Sequence, residues 1–323
     1  MSGSGGRPAD RVELSVVMPC LNEEVSIAWC VARAWRGIER SGLRGEVVVC
    51  DNGSVDRSVE LAQGAGARVV REARRGYGRA YLTGIEASVG RIIVIGDSDY
   101  SYDFFELHRL VGPLFEGYDY VLGSRFAGTI LPGAMPFLNR YLGNPVLTAL
   151  LNLLFGLDTS DAHSGMRAFT RDAFVRMGLG CEGMEFASEI VIAAARARLR
   201  VTEVPITYHP RLGESKLRRW RDGARHVRFM VAEALRPRTR GNTAPQQGMT
   251  SGQRDDSTAG RPRDSSCTNG SVRPTSRLMR SGAVARDSPS LEAGDGPAAR
   301  IEAEDVPEAR TEAGDGPAAR TNS

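Results

Sequence analysis

An α/β fold, with a mostly parallel central sheet and helices on both faces, is predicted by three features of this sequence. Short apolar runs alternate with stretches of helical spacing through the first 125 residues. The runs are apolar on both faces, as strands of a covered parallel sheet are and half-exposed antiparallel strands are not. Three of them end in polar residues, at Asn22-Glu23, Asp51-Asn52 and Asp97-Ser98-Asp99. Open α/β sheets bind ligands outside the carboxyl ends of their strands, so these clusters are expected to line one crevice of a nucleotide-binding half.

The elements follow in order. Residues 14–19 (LSVVMP) read as a buried strand stopped by proline, which lacks the amide a central strand uses. Residues 23–40 place Ile27, Val31, Ala34 and Ile38 on one helical face. A strand at 46–51, the turn Asn52-Gly53-Ser54 and a helix at 56–65 come next, then a strand at 67–71, a helix at 77–88 and a strand at 91–97. Beyond Arg125 the pattern loosens into an irregular Gly/Pro segment, an apolar helix around 140–155, a strand at 166–170, a helix at 184–198 and a strand at 201–208. This second half is expected to complete an acceptor site. Residues 216–235 gather Leu217, Trp220, Ala224, Val227 and Val231 on one face and most of their arginines elsewhere. That is a basic amphipathic helix, for which lipid contact and core packing both stand as readings.

Composition changes sharply near Gly241. From there to Ser323 the chain has no Phe, Trp, Tyr or Lys and repeats the octet EAGDGPAA. Such a stretch buries too little apolar area to offset backbone ordering at about 1–2 kcal/mol per residue. The expected organisation is a flexible start (1–11), one folded domain (12–235) and a disordered low-complexity tail (236–323). The net charge of +3 over 323 residues arises in the folded part, because the tail is slightly acidic. A mildly basic domain suits an anionic substrate or a membrane surface. It argues against nucleic acid, since no aromatic stacking platform accompanies the arginines. Five cysteines without metal-type spacing read as free thiols of a reducing compartment. The opening residues do not resemble a signal peptide, and the longest apolar run, 145–157, falls short of the ~20 residues that span a bilayer. The expected location is cytoplasmic, soluble or peripheral at the inner face of the membrane.

Two local patterns carry chemistry. Asp97 and Asp99, one residue apart at the end of an apolar strand, can share a hard cation, Mg²⁺ or Mn²⁺, whose remaining ligands are water and diphosphate oxygens. A solvated turn has the same composition. In Asp51-Asn52-Gly53-Ser54-Val55-Asp56, Asp51 suits a base or ribose, while Asn-Gly suits a turn and Ser54 or Asp56 a helix cap.

Taken together, Pro19-x-x-Asn22-Glu23-Glu24, Asp51-Asn-Gly-Ser-x-Asp56, Gly76-x-Gly78 and Asp97-x-Asp99 resemble family 2 glycosyltransferases of the GT-A fold. Three further segments are similar to the polyprenyl-phosphate hexose synthases of the dolichyl-phosphate mannose synthase group. These are Gly123-Ser124-Arg125, Asp161-x-x-Ser164-Gly165-Met166-Arg167 and Arg211-x-Gly213-Glu214-Ser215-Lys216.

The resemblance covers about residues 12–235. It implies inverting transfer of a hexose from a UDP- or GDP-sugar to a lipid phosphate. Pro19, Asn22, Glu23, Asp51, Gly78 and Asp97 would bind the nucleotide sugar, and Asp97 and Asp99 the metal. Arg125, Arg167, Arg211, Ser215 and Lys216 would meet phosphate or acceptor, with Asp161 and Glu185 near the sugar. Transfer to a hydroxyl would need a base, for which Asp161, Glu185 and Glu189 are the carboxylates at hand. A catalytically silent nucleotide-sugar-binding protein is the further alternative. The sequence departs from the synthases at Ser101, where relatives often supply another metal ligand.

Overall fold

The computed structural model describes residues 12–213 and 219–236. The expectations for residues 1–11, Ser215, Lys216, Leu217 and the tail from 237 lie outside the described residues.

The chain runs through β1 (Leu14–Cys20), α1 (Ile27–Ser41), β2 (Gly45–Asp51), α2 (Ser58–Gly64), β3 (Arg68–Arg71), α3 (Tyr77–Ala87) and β4 (Ile92–Ile95). The second half holds α4 (Leu107–Phe115), β5 (Tyr120–Ile130), α5 (Asn144–Phe155), β6 (Arg167–Thr170), α6 (Arg171–Met177), α7 (Phe186–Arg196), β7 (Val201–Tyr208) and α8 (Arg219–Leu235). These strands form one seven-stranded sheet in the order β3-β2-β1-β4-β6-β5-β7. All neighbours pair in parallel except β6, which runs antiparallel to both β4 and β5.

Alternation along β1 explains the two-sided core. Leu14, Val16 and Met18 face one apolar cluster with Ile27, Val31, Leu107 and Leu110, whereas Val17 faces the other with Tyr81, Ile85, Phe186 and Ile190. β4 is buried along its whole length, as a central strand covered on both faces must be.

Three differences from the expected elements have physical causes. β5 continues to Ile130, five residues past Arg125, and its pairing with β7 is irregular between Ser124 and Thr129. There a Cβ on Gly128 would lie 2.0 Å from the Ile206 carbonyl oxygen, so the glycine that makes the segment look loop-like is what lets two backbones meet. α4 buries Leu107, Leu110, Val111 and Leu114, an amphipathic spacing that the sequence reading passed over. In α8 the buried residues are His226, Met230 and Glu233, while Val227 and Val231 are exposed, so those two do not pack into the core.

Candidate active site

The crevice is built where β1, β2 and β4 end. Asn22 leaves β1 with φ 53°, a left-handed conformation that asparagine tolerates better than most side chains. The turn it starts is fastened to the loop after β2. Asn22 N–H donates to Ser54 Oγ (2.9 Å), Val55 N–H to Asn22 Oδ1 (2.9 Å) and Glu23 N–H to Ser58 Oγ (2.8 Å). Asp51, 5% exposed, accepts the Ser54 amide on Oδ1 (2.9 Å), and Asp56 takes the amide and hydroxyl of Ser58 at the start of α2. Asn52 is a fastener: its amide donates to the carbonyls of Glu72 and Arg74, and its oxygen accepts Gly76 N–H at 2.8 Å. Ser98 Oγ donates to the Pro19 carbonyl (2.7 Å), closing β4 onto β1. Pro19, Asn22, Glu23, Asp51 and the Asp97–Asp99 turn thus sit on interlocked segments.

Asp97 and Asp99 do not point out into solvent. Asp97 Oδ1 accepts two phenol hydroxyls, Tyr77 at 2.8 Å and Tyr81 at 2.9 Å. Asp99 is 9% exposed; its Oδ1 accepts Ser101 N–H, and its Oδ2 lies 3.4 Å from Arg211. Burial first, and then the neighbouring charge of Asp99, push the Asp97 carboxyl up to about 6, while the two tyrosines pull it down. The Arg211 guanidinium also approaches Glu23 at 3.9 Å, because backbone bonds from His209 to Ser101 and from Leu212 to Asp99 lay this segment along the acidic turn. Among the described residues no group of three His, Cys, Asp or Glu side chains forms a metal cluster. The donor set does suit a hard cation that takes its other ligands from water and phosphate: two carboxylates meet at one strand end, and Asp97 Oδ2 has no hydrogen bond from the described residues.

Four of the expected ligand residues make internal contacts. Arg125, 6% exposed, spends its fork on Asp161, with Nε to Oδ2 and Nη2 to Oδ1 both at 2.7 Å. The Arg125 amide also donates to Asp161 Oδ2 at 3.0 Å, and the guanidinium lies 5.1 Å from the Tyr208 ring. Asp161 is fully buried, and with Arg125 it forms an internal ion pair. Arg167, 1% exposed, donates to the carbonyls of Ser164, Ala162 and Ala187 and braces a loop instead of meeting phosphate. Gly78 backs onto protein: a Cβ there would lie 2.1 Å from the Cys181 carbonyl oxygen and 2.7 Å from Phe186 Cβ.

The two helical glutamates separate. Glu185, at the start of α7, pairs with Arg225 at 2.7 Å, and Glu189 accepts the amides of Gly180 and Cys181. His163 Nε2 lies 3.1 Å from Ser188 Oγ, which lies 2.8 Å from His226 Nδ1; burial, then His226, Arg167 and Arg125, hold His163 well below the usual imidazole range, so it is neutral. Sequence reasoning missed Tyr77 and Tyr81. Their i, i+4 spacing on a helix entering the crevice was the available signal.

A mostly parallel sheet with nucleotide-type loops at its strand ends and an acidic pair beside them defines a glycosyltransferase of the GT-A type. The family model for glycosyl transferase family 2 matches residues 15–178, and the chain belongs to that family.

It is 49% identical over 222 residues to a low-salt glycan biosynthesis hexosyltransferase of Haloferax volcanii, covering 68% of this chain and 54% of that protein. It is 34% identical over 230 residues to a dolichyl-phosphate hexose transferase of the same organism, covering 71% and 96%. The chain thus spans about half the length of the first of these curated relatives. Among solved structures, glucosyl-3-phosphoglycerate synthase from Mycobacterium tuberculosis in complex with Mn²⁺, uridine diphosphate and glucosyl-3-phosphoglycerate aligns with a TM-score of 0.56 at 26% identity, over 70% of this chain and 80% of that one.

Proposed function

We propose that residues 12–235 transfer a hexosyl group, with inversion, from a UDP- or GDP-sugar to a polyprenyl phosphate in the presence of Mg²⁺ or Mn²⁺. The nucleoside enters between the ends of β1 and β2, against Pro19, Asn22, Glu23 and Asp51. Asp97 and Asp99 hold the cation, which when bound draws electron density from the leaving diphosphate. Arg211 lies beside Asp99 and carries a buried Nε–H with no partner among the described residues, a donor suited to a phosphate oxygen. Ser215 and Lys216 follow it in sequence, and the family resemblance assigns them to the same phosphate. The relative bound to uridine diphosphate and Mn²⁺ supports this donor and cation, and the dolichyl-phosphate hexose transferase supports the acceptor.

The observation that carries the acceptor class is that every carboxylate considered as a base is engaged. Asp161 is locked on Arg125, Glu185 on Arg225, and Glu189 on two amides. A hydroxyl acceptor needs a base, whereas a phosphate is already anionic near neutral pH and needs only positioning and charge screening.

A lipid acceptor also accounts for an exposed apolar stretch. Phe137, Leu142, Val146 and Leu153 lie open beside Arg140, although no described helix is long and apolar enough to cross a membrane. Together they suit reversible contact with an anionic leaflet, at the inner face of the membrane.

The test offers the purified protein UDP- and GDP-hexoses with Mn²⁺ and, in parallel, polyprenyl phosphate and the matching polyprenol. Transfer to the phosphate alone is expected. Transfer to the alcohol, or donor binding without any transfer, overturns the reading.

A further inference from the structure

The glycine-tyrosine segment at the start of α3 has a geometric purpose that the nucleotide-binding reading of Gly76-x-Gly78 leaves out. Gly76 and Gly78 are pressed onto the 181–183 segment: a Cβ on Gly76 would lie 2.3 Å from the Glu182 carbonyl oxygen and one on Gly78 2.1 Å from that of Cys181. With hydrogen in place of those Cβ atoms, Gly78 N–H reaches Gly183 O at 3.2 Å and Arg79 N–H reaches Glu182 O at 3.0 Å. This close docking brings α3 against Phe186. Tyr81 stacks on the Phe186 ring at 5.3 Å, and Tyr77 meets the Tyr81 ring edge-on at 5.0 Å. Both hydroxyls then converge on one atom, Asp97 Oδ1.

An ionised carboxylate oxygen accepts about two hydrogen bonds, so Oδ1 is filled and the carboxylate cannot rotate without breaking both. The other oxygen faces position 165, where a side chain is missing: a Cβ on Gly165 would lie 2.7 Å from Asp97 Oδ2. Gly165 is itself fixed by its N–H to Tyr102 Oη at 2.7 Å.

We propose that Tyr77 and Tyr81 are positioning residues for the cation. Admitted by Gly76 and Gly78, they turn Asp97 into a one-oxygen ligand whose Oδ2, packed against a residue without a side chain, keeps its lone pairs for the cation. This inference rests on the proposed role of Asp97 and Asp99 in holding a divalent ion. Phosphate-facing glycines would require an open approach to their backbone, whereas here both glycines face protein.

The test is Mn²⁺ affinity, titrated by electron paramagnetic resonance in the presence of UDP, for the wild type, Tyr77→Phe/Tyr81→Phe, Gly165→Ala and Asp99→Ala. Phenylalanine keeps the stacked rings and removes only the hydroxyls. Partners of metal-ligating groups typically contribute tenfold to a hundredfold in affinity, so the double variant is expected to bind Mn²⁺ about tenfold or more weakly. UDP affinity in metal-free buffer and the melting temperature should stay close to wild type. Gly165→Ala should likewise lose Mn²⁺, since its Cβ would displace Asp97 Oδ2, while its backbone φ, outside the left-handed region, adds no strain.

Wild-type Mn²⁺ affinity in the double variant or in Gly165→Ala, with Asp99→Ala defective, overturns the positioning role and leaves the cation site standing. An equal loss of metal-free UDP binding also overturns it, since the tyrosines would then support the pocket at large. Wild-type Mn²⁺ affinity in Asp99→Ala removes the cation reading itself.

Discussion

Removing the Asp161 carboxylate separates a structural role from a catalytic one. In Asp161→Ala, the Arg125 guanidinium, 6% exposed, loses both short bonds from its fork, and the Arg125 amide loses its acceptor. Breaking a buried pair from one side costs about 3–5 kcal/mol, because an uncompensated charge is left out of water. For a domain of this size, roughly 2–4 °C of melting temperature accompanies each kcal/mol, so the variant should melt some 6–20 °C lower.

The assay is urea and thermal unfolding followed by circular dichroism, with UDP binding measured well below the transition. Replacing both partners, in Arg125→Met/Asp161→Leu, removes the stranded charge and should recover most of the loss. Asp99→Ala is the contrast: near-wild-type stability with turnover abolished. A stable Asp161→Ala that binds donor normally and fails to turn over would refute this assignment and return Asp161 to the chemistry.

Replacing the exposed Leu153 by Glu, alone or with Phe137→Glu, should leave the melting temperature within a few degrees and weaken cosedimentation with anionic vesicles severalfold, because both side chains are largely open to solvent. Arg211→Ala should raise the donor KM about tenfold or more at unchanged stability, read from initial rates across donor concentrations. Gly78→Ala should destabilise by about 1–3 kcal/mol in urea unfolding, since its Cβ has no space against the Cys181 carbonyl. Burial pushes the Cys20 thiol up to about 11 and the Cys50 thiol up to about 12. A thiol whose folded value exceeds its unfolded one contributes stability that is complete below about pH 8.5 and lost as pH rises through 11–12. Mass-mapped alkylation at pH 8 should therefore leave Cys20 and Cys50 unmodified until the protein is unfolded.

The first four strands were legible because a covered parallel sheet demands runs apolar on both faces, and few other segments satisfy that. Strand direction was not legible. β6 is a four-residue run whose composition would be the same in either orientation, and only the returning chain sets it antiparallel between β4 and β5. β5 was not read as a strand because its glycines, which let it approach β7, are also the residues that mark loops. In α8 the described members of the expected apolar face, Ala224, Val227 and Val231, are exposed. The core instead receives His226 and Glu233, which have partners inside, Glu233 through Arg196 and His226 through Ser188.

In the site, the acidic turn was legible from its place at the end of a buried strand. Arg125 and Asp161 could not be recognised as each other's partner, because they lie 36 positions apart and residues of these types serve equally for an internal pair and for a ligand. The described contacts of both are internal.

Once the internal pairs are set aside, the charge left in the crevice bears on the cation. Arg125 belongs to Asp161, and Arg79 belongs to Glu72. Asp97, Asp99 and Glu23 all lie in the field of the Arg211 guanidinium, with Asp51 at the end of β2 and Arg75 held at the Gly53 carbonyl. These carboxylates make the crevice acidic, and a nucleotide sugar brings further negative charge on its diphosphate. At about 4 Å, two like unit charges repel by about 4 kcal/mol at an effective dielectric of 20, so a diphosphate placed here unaided would be strongly disfavoured. A divalent ion reverses the sign of that interaction. The donor should therefore bind weakly in chelator at low ionic strength, and affinity should return with Mn²⁺. In Asp97→Asn/Asp99→Asn, which removes two of the negative charges, chelator should cost far less. Calorimetry with UDP across these four conditions measures both arms, and tight UDP binding by the wild type in chelator would show that the crevice is not the anionic barrier its side chains describe.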